Sequence, residues 1–315
     1  MRHRVLIVDD QFERLREPLA AEFPDVAFDG VLDPADAVPF CADATAIISL
    51  AHVISAEMIA AAPRLRWIGA LTTGTDHLRT LTIPDDVVIT SARGIQAAVV
   101  AEFALMSMLA LGKRLPLMLA NQREHIWERT RGRALDGCTV TVVGAGTISE
   151  AFAVRAAAFG MRVVGVSAGR TEIAGFDAVF PRERLAEAAA MTDFLVVLVP
   201  QTEETRNLID ARVFAAMKPS AFVVNIARGG VLDSDALLAA LREGRIAGAA
   251  LDVFAPEPMP ADSPFWSMEN VIVTPHAAGD AWEIYDRALP LMRANLQAIC
   301  NDRPHDLLNV VSRKA

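Results

Sequence analysis

The sequence predicts an α/β protein made of two doubly wound domains, and three observations carry that prediction. A chain of 315 residues suits two domains better than one. Short apolar, β-rich runs alternate with helical patterns along most of the chain, as parallel sheets with crossover helices require. Near residue 139 a strand pattern, a glycine turn and an alanine-rich helix follow one another and open a second, complete αβ series.

The elements are read in order. Residues 5–8, 46–50 and 67–71 are apolar and β-rich and are predicted strands, with helical patterns at 35–41 and 56–62 between them. The first run ends in Asp9-Asp10 with no small-residue cleavage site, so the start is expected to be a strand and not a signal peptide. Residues 97–111 are apolar nearly all round and read as a long buried helix; they contain Glu102 and are too short to span a bilayer. A polar stretch covers 121–135. Strands are then predicted at 140–143, 162–166, 194–198, 221–225, 248–251 and 271–273, and six strands at βα spacing make a complete dinucleotide-binding domain. The tail from 282 to about 299 reads as a helix returning to the first domain.

Composition narrows the function classes. With 53% hydrophobic residues the chain can bury substantial cores. The net charge of −9 argues against nucleic acid or an anionic membrane as partner, since both select a basic patch. Cys41, Cys138 and Cys300 are far apart and show no ligand spacing, so neither a disulfide framework nor a metal site is expected. A soluble protein of the cytoplasm fits this usage. Val5 to Asp10 also resembles the acidic start of a receiver domain. The later strand that would carry a phosphoacceptor ends in Ile47-Ile48-Ser49-Leu50 without a carboxylate, so Asp9 and Asp10 are read as loop polars, with a helix cap as one use.

Thr139-Val140-Thr141-Val142-Val143 leads into Gly144-Ala145-Gly146-Thr147-Ile148-Ser149 and a helix over 150–159. In that order the pattern is a dinucleotide turn. Gly144 permits the tight bend, and Gly146 lets backbone amides approach a pyrophosphate at the positive end of the helix. Ser149 stands where a third glycine is usual, which loosens helix–strand packing slightly. After the next strand, Ser167 occupies the place where NAD-dependent proteins carry an acid on the ribose, and Arg170 follows closely. A hydroxyl and a guanidinium attract a 2′-phosphate where a carboxylate would repel it. NADP(H) is therefore favoured, with NAD(H) the alternative.

Three further segments follow predicted strands: Asn225-Ile226-Ala227-Arg228-Gly229-Gly230, Leu251-Asp252-Val253-Phe254-Ala255-Pro256-Glu257-Pro258 and Thr274-Pro275-His276-Ala277-Ala278-Gly279. Each sets a polar side chain near the carboxyl end of a strand, where open α/β sheets bind ligands. A guanidinium, a carboxylate and an imidazole together make an anion clamp, an orienter and a proton donor, which is the equipment for reducing a 2-keto acid.

On these residues, with Val199-Pro200-Gln201-Thr202, Thr205, Thr72 to Leu78 and Val100-Ala101-Glu102, the chain resembles the D-isomer-specific 2-hydroxyacid dehydrogenases of the glyoxylate/hydroxypyruvate reductase kind over nearly its whole length. The departures are Ser149, Ser167, Gln96 near a common asparagine, and Gln201 for a common leucine in the adenine-side loop. The resemblance implies a Rossmann cofactor domain over 97–285, inserted in a flavodoxin-like substrate domain of 1–96 and 286–315, with substrate in the cleft between them. It also implies a homodimer in which the long helix and the polar stretch after it lie near the interface.

The resemblance further implies residue roles. His276 is the general acid, giving a proton to the substrate oxygen as hydride reaches C2. Glu257 orients the ring. Arg228 clamps the substrate carboxylate and polarises the carbonyl with a planar fork. Leu50, Thr73 and Gly74 contact substrate, the last two through backbone amides; Ala51, His52, Trp266 and Trp282 are candidate pocket walls. The cofactor set is Gly144, Gly146, Thr147, Ile148, Ser167, Arg170, Pro200, Thr205, Ile226 and Asp252, the last toward the nicotinamide carboxamide. The expected activity is an oxidoreductase of small 2-keto and 2-hydroxy acids. Two alternatives stay open: a nucleotide-sensing, corepressor-like binding protein, and a phosphite-type dehydrogenase on the same fold.

Overall fold

A computed structural model of the chain describes residues 3–311. Residues 1–2 and 312–315, which the sequence reading assigns to the first domain, lie outside the described residues. The chain divides into two compact units, Met1–Gln96 with Ala281–Ala315, and Ala97–Asp280. Each is an α/β unit with one parallel sheet.

The first unit runs β1 (Arg4–Val8), α1 (Glu13–Glu22), β2 (Ala27–Val31), α2 (Val38–Cys41), β3 (Ala46–Ser49), α3 (Ala56–Ala60), β4 (Trp67–Ala70) and β5 (Val88–Thr90). Its sheet order is β2-β1-β3-β4-β5, the flavodoxin-type doubly wound arrangement. The central strands β1, β3 and β4 are apolar on both faces because helices cover both sides of the sheet. Leu6, Ile47, Ile68 and Met58 pack on one face; Ile7, Ile48 and Trp67 pack on the other with Met292 and Leu296 of the C-terminal helix. The open edge of β5 is paired off by the end of the described chain: Ser91 N donates to Asn309 O at 3.0 Å and Val311 N to Ile89 O at 2.9 Å.

The second unit runs α4 (Ala97–Gly112), α5 (Leu115–Arg123), β6 (Thr139–Val143), α6 (Thr147–Ala158), β7 (Arg162–Ser167), β8 (Ala178–Pro181), α7 (Leu185–Met191), β9 (Phe194–Val197), α8 (Ala211–Ala216), β10 (Phe222–Asn225), α9 (Ser234–Arg242), β11 (Gly248–Leu251) and β12 (Val271–Val273). The C-terminal helix, α10 (Ile284–Cys300), belongs to the first unit. The second sheet is ordered β12-β11-β10-β9-β6-β7-β8, so the winding reverses between β6 and β9. That switch point is where a ligand crevice forms outside the carboxyl ends of the strands. α4 buries Val100, Ala101, Ala104, Leu105 and Met108 in one core cluster with Phe152 of α6 and Phe194 of β9. Asp193 ties the segment before β6 to the sheet: it accepts from Arg133 at 2.7 Å, Lys218 at 2.9 Å and Thr139 N at 2.8 Å. Burial alone would raise its carboxyl, but the Thr139 amide and the two cations more than reverse this and hold it below the ordinary range.

Several expectations need correction. The second sheet has seven strands, not six, since β8 was missed; β2 and β5 were missed as well. All three are edge strands, and an edge strand that is exposed on one side need not carry the continuous apolar run that marks a buried one. The helix expected over 35–41 is a 3-10 turn, Pro34–Asp36, followed by the short α2. Pro39 has no N–H for a helical bond back to residue 35. α6 begins at Thr147, three residues earlier than read. Asp9 does not cap α1. It is 6% exposed and accepts from Gln11 N at 2.7 Å and Tyr285 Oη at 2.8 Å, while its Oδ2 has no partner. Among the described residues no single helix is long and apolar enough to cross a membrane.

Candidate active site

The candidate catalytic side chains all belong to the second unit and follow three adjacent strands, β10, β11 and β12. Asn225, 1% exposed, shapes the first turn: its Nδ2 donates to Arg228 O at 3.0 Å and its Oδ1 accepts from Ala227 N at 3.2 Å. Arg228 therefore leaves the sheet in an extended conformation, with its Nη1 on Ala227 O at 2.6 Å. Gly229 has to be glycine, because a Cβ there would lie 2.0 Å from the carbonyl carbon of Phe254. This close approach joins the Arg228 turn to the loop after β11. In that loop Phe254 N donates to Glu257 Oε1 at 2.8 Å, which fixes the carboxylate.

Glu257 Oε2 lies 2.8 Å from His276 Nδ1, and both side chains are partly exposed. The pairing directs Nε2, the other ring nitrogen, away from the carboxylate. His276 has φ +55°, a left-handed conformation that costs a residue with a Cβ of the order of 1 kcal/mol or more. Asp252 holds the turn in place. Its carbonyl accepts from His276 N at 2.8 Å, and its carboxylate accepts from Ala277 N and Ala278 N, each at 2.9 Å, and from Thr274 Oγ1 at 2.7 Å. At 1% exposure Asp252 shapes the histidine turn, a role the sequence reading missed beside the cofactor contact it expects.

At the switch point, Gly144 has φ +126° and a Cβ there would meet Leu198 O at 2.7 Å, so the turn admits only glycine. Gly146 is the N-cap of the 12-residue α6 and provides no side-chain cap. A Cβ on it would project into open space, and Thr147 and Ile148 open the helix directly after it. Unsatisfied helical N–H groups facing an open cradle fit a pyrophosphate. Ser149 is fully buried with an unpartnered Oγ. Ser167 Oγ accepts from Arg170 N at 2.9 Å and Gly169 N at 3.3 Å. Arg170 reaches back across the turn, with its Nη1 on Glu150 Oε1 at 2.6 Å and Ala145 O at 2.9 Å. Gly144, Ser167, Arg182, Val199 and Leu208 line one concavity here. Arg182 was missed because it follows β8, itself unread.

Of the remaining cofactor candidates, Pro200 O accepts from Thr205 Oγ1 at 2.7 Å, and Thr205 Oγ1 accepts from Thr202 N at 2.8 Å. Thr205 is buried and organises that loop. The Ile226 side chain is 7% exposed and packs in the core with Val100 and Ala104. In the first unit, Leu50 is half-buried beside Ile48 and Trp67, and Ala51 is buried. Of the expected pair of cradle amides, Thr73 N donates to Gln96 Oε1 at 3.2 Å, and Thr73 Oγ1 to the same oxygen at 2.8 Å. Gln96, noted only as a departure, occupies that donor. Trp266 Nε1 is held by Pro260 O at 2.9 Å, whereas Trp282 is 87% exposed.

Residues 105–278 match the model of the D-isomer specific 2-hydroxyacid dehydrogenase NAD binding domain. A glyoxylate reductase of Korarchaeum cryptofilum is 35% identical over 280 residues, covering 85% of this chain and 83% of that protein. Mycobacterium tuberculosis D-3-phosphoglycerate dehydrogenase is 38% identical over 256 residues, or 77% of this chain; the match spans 46% of its length, about half. A D-isomer specific 2-hydroxyacid dehydrogenase family protein of Aeromonas salmonicida superposes with a TM-score of 0.91 at 30% identity, covering both chains fully. A D-isomer specific 2-hydroxyacid dehydrogenase of Xanthobacter autotrophicus Py2, solved in complex with NADPH and MES, gives 0.83 at 30% identity over 100% of this chain and 99% of that one. With two parallel α/β sheets, a dinucleotide turn at the switch point and this match through the second unit, the chain belongs to the D-isomer specific 2-hydroxyacid dehydrogenase family.

Proposed function

We propose that the protein reduces a small 2-keto acid of the glyoxylate or hydroxypyruvate kind to the D-2-hydroxy acid, with NADP(H) favoured over NAD(H). The observation that carries this reading is the 2.8 Å pairing of Glu257 with His276 beside the Arg228 turn. The nicotinamide cofactor supplies the hydride. Gly144, Gly146 and the first-turn amides of Thr147 and Ile148 hold its pyrophosphate, and the loop of Pro200 and Thr205 borders its adenine side. Ile226 contributes backbone only, since its side chain is buried in the core.

The remaining chemistry belongs to the chain's own residues. Arg228 binds the substrate carboxylate and draws charge from the carbonyl through a planar fork. His276 gives its Nε2 proton to the substrate oxygen, and Glu257 on Nδ1 sets the ring orientation in which that nitrogen is presented. Asp252 acts by holding the His276 turn. In the first unit the Gly74 amide is the proposed backbone donor to the carboxylate, with Leu50 as an apolar contact. Support for NADP(H) comes from Ser167 in place of an acid and from the Xanthobacter relative solved with NADPH.

A homodimer is part of the proposal. Met106, Leu115, Met118, Leu119 and Phe159 are exposed hydrophobics, and Met106, Leu115 and Phe159 line an apolar hollow between α4 and α6 of about 630 Å³. A face of this kind is expected to be covered by another surface. The test of function is a panel of 2-keto acids assayed with NADPH and with NADH. Turnover with a small keto acid and higher efficiency with NADPH supports the reading. Tight cofactor binding with no turnover across the panel would instead favour a nucleotide sensor.

A further inference from the structure

We infer that Arg182 is a second cationic arm for the cofactor's 2′-phosphate; the inference rests on the NADP(H) reading above. Arg182 lines the same concavity as Ser167, whereas Arg170 does not. Its side chain is only 25% exposed, so a packed stem holds the guanidinium at the rim of the concavity. Its partner is Glu204, 2.8 Å away and 76% exposed.

A pair with so exposed an acid contributes little stability and exchanges readily for a better anion. A phosphate monoester carries nearly two negative charges and presents oxygens that a guanidinium fork can bind bidentately. Ser167 completes the recognition. Its Oγ already accepts from two loop amides, which leaves its O–H to donate to a phosphate oxygen. Arg170 is held more firmly, by Glu150 and by the Ala145 carbonyl at once, and has to give up these contacts to turn to a ligand. Arg182 is therefore the more available of the two cations, although it lies 15 residues beyond Ser167 in sequence and follows an edge strand.

The test is calorimetric titration with two probes, 2′,5′-ADP and 5′-AMP, which differ in the 2′-phosphate. The wild type should bind 2′,5′-ADP more tightly. Arg182→Gln, which keeps much of the packed stem, should weaken 2′,5′-ADP about tenfold, the scale of one charge-assisted contact, and change 5′-AMP less than about twofold. Glu204→Gln, at an exposed position, should tighten 2′,5′-ADP about twofold by releasing the guanidinium. Equal weakening of both probes in Arg182→Gln would make Arg182 a packing residue of the adenosine site and overturn the inference. So would unchanged discrimination, or an absence of tightening in Glu204→Gln; in these cases the NADP(H) reading stands as long as the wild type prefers 2′,5′-ADP. A wild type that does not distinguish the probes removes the NADP(H) reading and the inference together.

Discussion

His276 occupies a left-handed backbone conformation, and the groups that keep it there are buried while its ring is half-exposed. Such an arrangement spends local stability to aim one side chain. His276→Ala should lower turnover by about two to four orders of magnitude, the scale of a positioned acid, and leave cofactor binding nearly intact. Steady-state rates and fluorescence titration with NADPH check this; wild-type turnover would remove His276 from the chemistry. Asp9 gives a prediction of another kind. Burial raises its carboxyl above the ordinary range, and the bonds from Gln11 and Tyr285 offset this only in part. Because the folded value is raised, the stability contributed by this group is complete below its unfolded pKa and is lost as pH rises through the folded one. At neutral pH the buried carboxylate is thus a net cost. Asparagine keeps an oxygen for both donors and removes the charge, so the melting temperature of Asp9→Asn should gain on that of the wild type as pH rises from 4 to 7. The gain should shrink as pH falls into the carboxylate range, and an equal gain at pH 4 and pH 7 would contradict this account. Neither the burial of Asp9 nor the occupation of the Thr73 amide by Gln96 was legible in the sequence, because both depend on partners distant along the chain.

At the scale of elements, the interior strands were legible, and of the four edge strands only β12, a run of three β-branched residues, was. β1, β3, β4, β9 and β10 are largely apolar runs between helical patterns, and β6 alternates threonine with valine ahead of the glycine turn, so residue type and order mark them. β8 reads Ala-Val-Phe-Pro and is only partly buried; missing it also hid Arg182 directly behind it. The glycine turn was legible because strand, turn and helix follow in order, and Gly144 answers a steric demand, a positive φ with the Leu198 carbonyl close by. The substitution of Ser149 for a third glycine has a measurable consequence. Its hydroxyl is fully buried in α6 without a partner, which costs about 1–3 kcal/mol, and serine is a weaker helix former than alanine. Ser149→Ala should therefore raise the unfolding free energy by about 1 kcal/mol in urea titration. A loss of stability would mean that the hydroxyl has a partner.

At the scale of the whole molecule, each of the two doubly wound units carries one parallel sheet, and Arg228, Glu257 and His276 follow strands of the second. The fold class could be read from the alternation of strands and helices, and the reaction class from the order of Arg228, Glu257 and His276. The identity of the substrate side chain could not, because at Leu50, Ala51 and His52 the sequence does not separate core packing from pocket lining. Assembly also belongs to this scale. Met106 lies on the apolar face of α4, half exposed, and Met106→Glu would introduce a charge there. Light scattering should find a dimer in the wild type and a shift to monomer in the variant; a monomeric wild type would contradict the proposed dimer. The most direct test of the central claim is chiral analysis of the product formed from hydroxypyruvate and NADPH. The account predicts D-glycerate alone, formed as NADPH is consumed one for one; L-glycerate, or NADPH bound without any product, would contradict it.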